Sequence, residues 1–242
     1  MEAIRIEGLT KKYRDTVAVC DLSLGVNEGE LLSLLGVNGA GKTTTVKMLS
    51  CLTEPTEGDA YLLGKSIRRE GDDVKKLIAV SPQETAVATG LSTRENLELI
   101  CGVHGFSKEK KNAKIKELTE LLGLDSVINK KAGKLSGGWQ RRLSIAMALI
   151  SEPKILFLDE PTLGLDVIAR SELWDVIRGL KERMTVILTT HYMEEAEVLS
   201  DRVGIMKNGK LLFLGTAREL KAQTGEDRFE DAFISVVKEG NL

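Results

Sequence analysis

Gly36-Val37-Asn38-Gly39-Ala40-Gly41-Lys42-Thr43 has the spacing GxxxxGK[ST], and it constrains the chain more than any other stretch. Its glycines let the backbone curl closely round phosphate groups, so that successive amide N–H groups point inward. The helix that follows aims its positive N-terminal end at the same point. Such a loop works between a buried strand and a helix, and both are legible. Residues 30–35 form a short, nearly continuous apolar run, and 42–49 have helical texture. By its chemistry Lys42 reaches the β- and γ-phosphates of a nucleotide and the Thr43 hydroxyl ligates magnesium. Thr44 adds a hydroxyl within reach of the α-phosphate, and Gly36, Asn38, Gly39, Ala40 and Gly41 form the cradle. Chance would rarely set the glycines, the lysine and the hydroxyl at these offsets in this context.

Ahead of the loop, residues 3–8, 17–19 and 22–26 read as short strands separated by polar turns, an antiparallel patch. Tyr13 falls in the first connection, where it is either an adenine-stacking platform or a half-buried aromatic. Residues 77–80 predict a strand ending at Ser81-Pro82-Gln83, after which the texture turns helical. Ser92-Thr93-Arg94-Glu95 is a capping box, followed at helical spacing by Leu97, Ile100, Cys101 and His104. His104 is thereby a helix-face residue with no assigned chemistry. Two further helices are predicted over 107–122 and 138–150. The second opens at Leu135-Ser136-Gly137-Gly138, which combines a hydroxyl, bare backbone and a helix N-terminus. Those are the parts needed to close a nucleotide site on a second subunit. Residues 84–150 therefore read as a helical lobe inserted into an α/β core of 1–83 and 151–242, all within one domain.

Residues 155–158 are a buried-strand run ending in Asp159-Glu160, two carboxylates where open α/β sheets place ligands. Asp159 suits the magnesium shell, and Glu160 suits a general base that polarises the attacking water. A turn over 161–166 and a helix over 167–180 lead to the strand 184–189, which ends in Thr190-His191. His191 can donate to a γ-phosphate oxygen, although a histidine alone there would more often be structural. Strands over 202–206 and 210–214, a helix capped by Thr216 with Glu219, and a short helix over 229–237 complete the pattern.

Composition narrows the function classes. At 242 residues and 42% hydrophobic the chain can bury a full core. A net charge of −2 gives no general attraction to nucleic acid, and none is expected as a partner. Lys108, Lys110, Lys111, Lys114 and Lys116 are interleaved with Glu109 and Glu117, the pattern of a solvated helix face. Cys20, Cys51 and Cys101 lack metal-ligand spacing and are expected as buried thiols in a reducing cytosol. No run approaches the roughly 18 apolar residues a membrane-spanning helix needs, so the chain is expected to be neither secreted nor itself inserted.

In order and approximate spacing, Tyr13, the loop from Gly36 to Thr43, Gln83, Leu135 to Gly138, Asp159-Glu160, Asp166 and His191 resemble the nucleotide-binding subunits of ABC transporters. The resemblance covers essentially the whole chain. It implies a RecA-like P-loop NTPase core with an N-terminal antiparallel β patch and an inserted helical subdomain, using ATP and Mg2+ to hydrolyse ATP. It also implies Tyr13 as adenine platform, Gln83 as magnesium and water sensor, and His191 as γ-phosphate switch. Ser136, Gly137, Gly138 and Asp166 become contacts to the partner subunit's nucleotide. Trp139 departs from the family's usual glutamine, which follows as Gln140 and leaves a polar contact from position 139 open. The sequences after Asp166 and His191 look like the drug and antibiotic export branch. The expected partners are a second ABC ATPase, identical or related, in a head-to-tail dimer, and a separate transmembrane permease docked near Gln83. The expected location is the cytoplasmic face of the cell membrane, as a peripheral subunit. The alternative is a soluble ABC ATPase acting on ribosomes, DNA or cell division; a signalling GTPase is disfavoured by the lack of an Asn-Lys-x-Asp segment.

Overall fold

The computed structural model describes residues 1–239. Strands β1 (Glu2–Tyr13) and β2 (Thr16–Asn27) form an antiparallel hairpin turned at Arg14-Asp15. These two long strands replace the three short ones expected from the sequence. Register shifts along the ladder absorb Gly8 and Asp21, both at positive φ, so polar positions that read as turns lie inside continuous strands. Strand β3 (Leu31–Leu35) is buried at every residue, and helix α1 (Lys42–Leu49) starts at the residue the glycine-rich loop demands.

Next come β4 (Glu57–Leu62), β5 (Lys65–Ser66) and α2 (Gly71–Leu77), which the pattern of apolar residues did not announce, and then β6 (Ile78–Ser81). Helices α3 (Thr93–Val103), α4 (Lys108–Leu122) and α5 (Gly137–Leu149) follow. Ser92 and Glu95 cap α3 reciprocally, and Ser107 caps α4. Then β7 (Ile155–Asp159), α6 (Val167–Lys181), β8 (Thr185–Thr190), α7 (Met193–Leu199), β9 (Arg202–Lys207) and β10 (Lys210–Gly215) build the second half. Helices α8 (Ala217–Thr224) and α9 (Phe229–Glu239) close the described chain, α8 with the expected Thr216–Glu219 box.

Among the described residues the strands form two sheets, ordered β2-β1-β4-β5 and β10-β9-β3-β8-β7-β6. From β9 to β6 the larger sheet is parallel, with β10 antiparallel at its edge. A parallel sheet is covered on both faces, which is why β3, β7 and β8 are buried at every residue and β3 and β7 are almost wholly apolar. Alternation along β7 assigns the faces. Leu156 and Leu158 join the core of α3, α4, α5 and α6, whereas Ile155 and Phe157 join α1 and the antiparallel sheet.

The lysines of α4 behave as a solvated face: Lys110 and Lys114 pair with Glu152, and Lys111 pairs with Glu98. Cys101 is buried, but Cys20 and Cys51 are half-buried, so the expectation of three buried thiols holds for one. Cys20 lies within β2 between buried Val19 and exposed Asp21, and Cys51 follows Ser50, the C-cap of α1. No helix among the described residues is long and apolar enough to cross a membrane.

One ion pair ties the sheets together. Arg202 Nε donates to Glu30 Oε1 at 2.7 Å and Arg202 Nη2 to Glu30 Oε2 at 3.1 Å, and Nη2 also reaches the Gly25 carbonyl at 2.6 Å. Glu30 is buried, so removing its partner leaves a desolvated carboxylate. Arg202→Ala should lower the unfolding free energy by about 2–3 kcal/mol, measured by urea denaturation. A change below about 0.5 kcal/mol would mean that water replaces the guanidinium at no cost.

Candidate nucleotide site

Pairing of β3 with β8 and of β8 with β7 sets three strand ends side by side, Leu35 beside Thr190 and Asp159 beside Thr189. The segments that leave those ends line a cleft of about 760 Å³. It gathers Asn38, Gly39, Ala40, Gly41, Lys42, Thr43, Thr44, Gln83, Glu160 and His191 from the sequence-based set.

The glycines are required by space. Gly41 caps α1 at φ 104, and a Cβ there would lie 2.5 Å from the Ala18 carbonyl oxygen. At Gly36 a Cβ would lie 2.4 Å from the Met206 carbonyl oxygen. Inside the cradle Lys42 is 5% exposed; its Nζ donates to the Gly36 carbonyl at 2.6 Å and lies 3.6 Å from Glu160 Oε1. Burial pushes the Lys42 pKa down, opposed by Glu160 and then by Asp159.

Glu160 completes the centre. Its φ of 46° is in the left-handed region, uncommon for a side chain with a Cβ. Successive side chains in a strand point to opposite faces, and this turn breaks the alternation so that Asp159 and Glu160 can both serve one site. His191 Nδ1 lies 3.1 Å from Glu160 Oε2, placing the carboxylate between Lys42 and His191. Thr43 Oγ1 donates to Asp159 Oδ1 at 3.1 Å.

Two contributors were not legible in the sequence. The Thr189 hydroxyl donates to Asp159 Oδ1 and accepts from the Glu160 amide at 3.0 Å, fixing the Asp159 carboxylate and the Glu160 backbone. Arg141, buried in α5, donates to the carbonyls of Pro82 and Gln83, the first at 2.6 Å, and so holds the Gln83 loop. A threonine in an apolar strand and an arginine in a helix carry no signal until the fold places them.

Other expected residues lie outside the cleft. Tyr13 is 45% exposed at the end of β1, paired across the hairpin with Thr16, which does line the cleft. Ser136 and Gly137 are exposed at the start of α5. Asp166 is exposed and caps α6 through the Ala169 amide at 2.9 Å. Trp139 is half-buried beneath the Arg142 guanidinium, 5.0 Å from the ring centroid. Gln140 Nε2 donates to the carbonyls of Ala132 and Leu135 at 3.0 and 3.3 Å.

Among the described residues no group of three or more His, Cys, Asp or Glu could hold a metal alone. The adjacent hydroxyl and carboxylate of Thr43 and Asp159 fit the one or two protein ligands that magnesium takes when phosphate oxygens supply the rest.

A family model described as ABC transporter matches residues 19–163. The chain belongs to the ABC transporter family. It is 42% identical over 229 residues to the daunorubicin resistance ATP-binding protein DrrA3 of Streptomyces coeruleorubidus, covering 94% of this chain and 72% of that protein. It is 40% identical over 226 residues to the human phospholipid-transporting ATPase ABCA3, covering 92% of this chain but only 13% of that protein. Its fold matches that of CbiO1 from Clostridium perfringens, part of the ABC transporter complex cbiONQ, with TM-score 0.85 and 25% identity over 92% of this chain and 91% of that one. The chain is thus an ABC transporter ATP-binding protein and an ATP hydrolase, with the RecA-like P-loop fold of that family.

In this ABC protein the cradle depends on a missing side chain. Gly41→Ala should abolish ATP binding, because the methyl group meets the Ala18 carbonyl and the backbone leaves φ 104. Isothermal titration with ATP checks this; retained affinity would show that the loop does not need that backbone shape.

Proposed function

We propose that this chain is the ATP-hydrolysing subunit of an exporter, working as a head-to-tail pair with a second ABC ATPase, identical or related, beside a separate membrane permease. The observation that carries the reading is the contrast among serine caps. Ser92 and Ser107 accept a hydrogen bond from their own helices, whereas Ser136, at the start of the 13-residue α5, makes no side-chain cap and faces outward. A helix N-terminus with a free hydroxyl and two small neighbours suits a phosphate belonging to another subunit.

Within one subunit, Gly36, Asn38, Gly39, Ala40, Gly41, Lys42, Thr43 and Thr44 hold the ATP phosphates, and Tyr13 stacks on adenine. Thr43, Asp159 and Gln83 hold Mg2+, which when bound neutralises phosphate charge. Glu160 accepts a proton from the attacking water, and His191 donates to the γ-phosphate. Ser136, Gly137, Gly138 and Asp166 contact the partner's ATP. The helical lobe over 84–150 meets the permease near Gln83, so the subunit sits peripherally on the cytoplasmic face of the membrane. The likeness to a drug-resistance protein supports export, and the likeness to a component of a transporter complex supports a permease partner.

Glu160→Gln should bind ATP yet hydrolyse it about 10²–10⁴-fold more slowly, since a general base typically contributes that much. In that background ATP should produce dimers by sedimentation, and adding Ser136→Arg should return monomers without loss of ATP binding. Dimers that persist in the double variant would rule out the head-to-tail arrangement. Tyr13→Ala should weaken ATP binding by about 1–3 kcal/mol while Tyr13→Phe and Tyr13→Trp preserve it, because stacking needs a ring. Equal losses in titrations of all three would assign Tyr13 to packing.

A further inference from the structure

Glu195 is 0% exposed, on α7, four residues beyond His191. A carboxyl buried this deeply is costly unless its surroundings use it. Trp174 of α6 donates its indole Nε1–H to Glu195 Oε1 at 3.1 Å. Burial holds the Glu195 pKa above the usual carboxylate range, opposed in order by the Thr190 and Thr162 hydroxyls, the Trp174 indole and Arg170. Glu195 Oε2 and Thr162 Oγ1 complete no hydrogen bond, so the cluster is close-set without being saturated.

The groups around Glu195 come from different functional segments. Thr190 precedes His191, and its hydroxyl accepts from the Tyr192 amide at 2.9 Å. Thr162 lies in the turn that joins Glu160 to Asp166. Trp174 and Arg170 stand four apart on α6, the helix that Asp166 caps, so they share one face. A second link runs parallel to the first. The Arg170 guanidinium lies 4.7 Å from the Tyr192 ring, which packs on the His191 ring with centroids 4.2 Å apart. At its start α6 also touches the Ser136 motif: a Cβ on Gly138 would lie 3.2 Å from Ala169 Cβ.

We propose that Glu195 is a positioning residue that, through the Trp174 indole, fastens α7, the helix that follows His191, to α6, the helix that Asp166 caps, so that the two move as a unit. The inference rests on the roles proposed above for His191 and Asp166. Its chemical content is that displacement of His191 by a γ-phosphate is delivered through Glu195 to α6, and from there to the surface that faces the second subunit. Glu195 itself touches no reacting atom.

Steady-state ATP hydrolysis by the full chain tests this, with Glu195→Met and Glu195→Gln each made alone and with His191→Ala. Glu195→Met removes the bond to the Trp174 indole at similar side-chain length, and an apolar replacement of a buried charged group is often tolerated in stability. The expected kcat falls at least about tenfold while KM for ATP stays within about twofold, and Glu195→Gln, which retains hydrogen bonding, stays within about threefold of the parent. In the His191→Ala background Glu195→Met should cause no further loss, because the residue acts through the histidine. If Glu195→Met does not fold, Trp174→Phe carries the same comparison, removing only the indole donor to Glu195. Equal fold-losses in both backgrounds, an unchanged Glu195→Met rate, or a Glu195→Gln protein as slow as Glu195→Met would overturn the coupling alone. A His191→Ala protein with normal hydrolysis would remove the underlying site assignment and the coupling with it.

Discussion

Parallel pairing of β3, β8 and β7 is the constraint on which the rest of the structure depends. Each strand is too short to carry a site of its own, yet hydrogen bonding in this order brings three strand ends within reach of one ligand. One end launches the glycine-rich loop, one ends in Thr190 before His191, and one ends in the paired carboxylates. The same ladder aligns Asp159 with Thr189, so the threonine that orders the Asp159 carboxylate is supplied by the sheet itself. Burial on both faces gives this geometry its rigidity, since a shift of register would carry side chains to the wrong face.

The centre then solves an electrostatic problem. Lys42 is held out of water inside the loop, where burial disfavours its charge. Carbonyl oxygens of Gly36 and Val37 and the carboxylate of Glu160 offset that cost. Glu160 can reach the lysine because it adopts a backbone conformation that costs of order 1–3 kcal/mol and that its neighbours enforce. The amide of Glu160 is anchored twice to Thr189, once by the carbonyl and once by the hydroxyl, which supplies that enforcement.

Much of this was legible in the sequence where local chemistry and packing agree. The loop from Gly36 to Thr43 announces itself by spacing, and β3 and β7 by nearly continuous apolar runs. The capped helices α3, α4 and α8 announce themselves by serine or threonine ahead of the first turn. The pattern failed where burial is one-sided or brief. In α2 only Val74 is buried, and in β4 only Ala60 and Leu62, too few to set a period. The long hairpin divides into fragments in the apolar pattern because bulges hide its continuity. At the centre, Arg141 and Thr189 act through contacts 58 and 30 residues away along the chain, and no local signal encodes such partners.

Trp139 and Trp174 are the chain's two tryptophans. The first is partly open to solvent and stacked under Arg142 beside the Ser136 motif, and the second is 9% exposed against Glu195. One optical probe thereby stands on α5 and one on α6, in environments of different polarity. A small neutral quencher reaches Trp139 first, so the residual emission comes from Trp174 and the quenched fraction from Trp139. The outer surface and the buried interior can be followed separately in unlabelled protein, from a single cuvette.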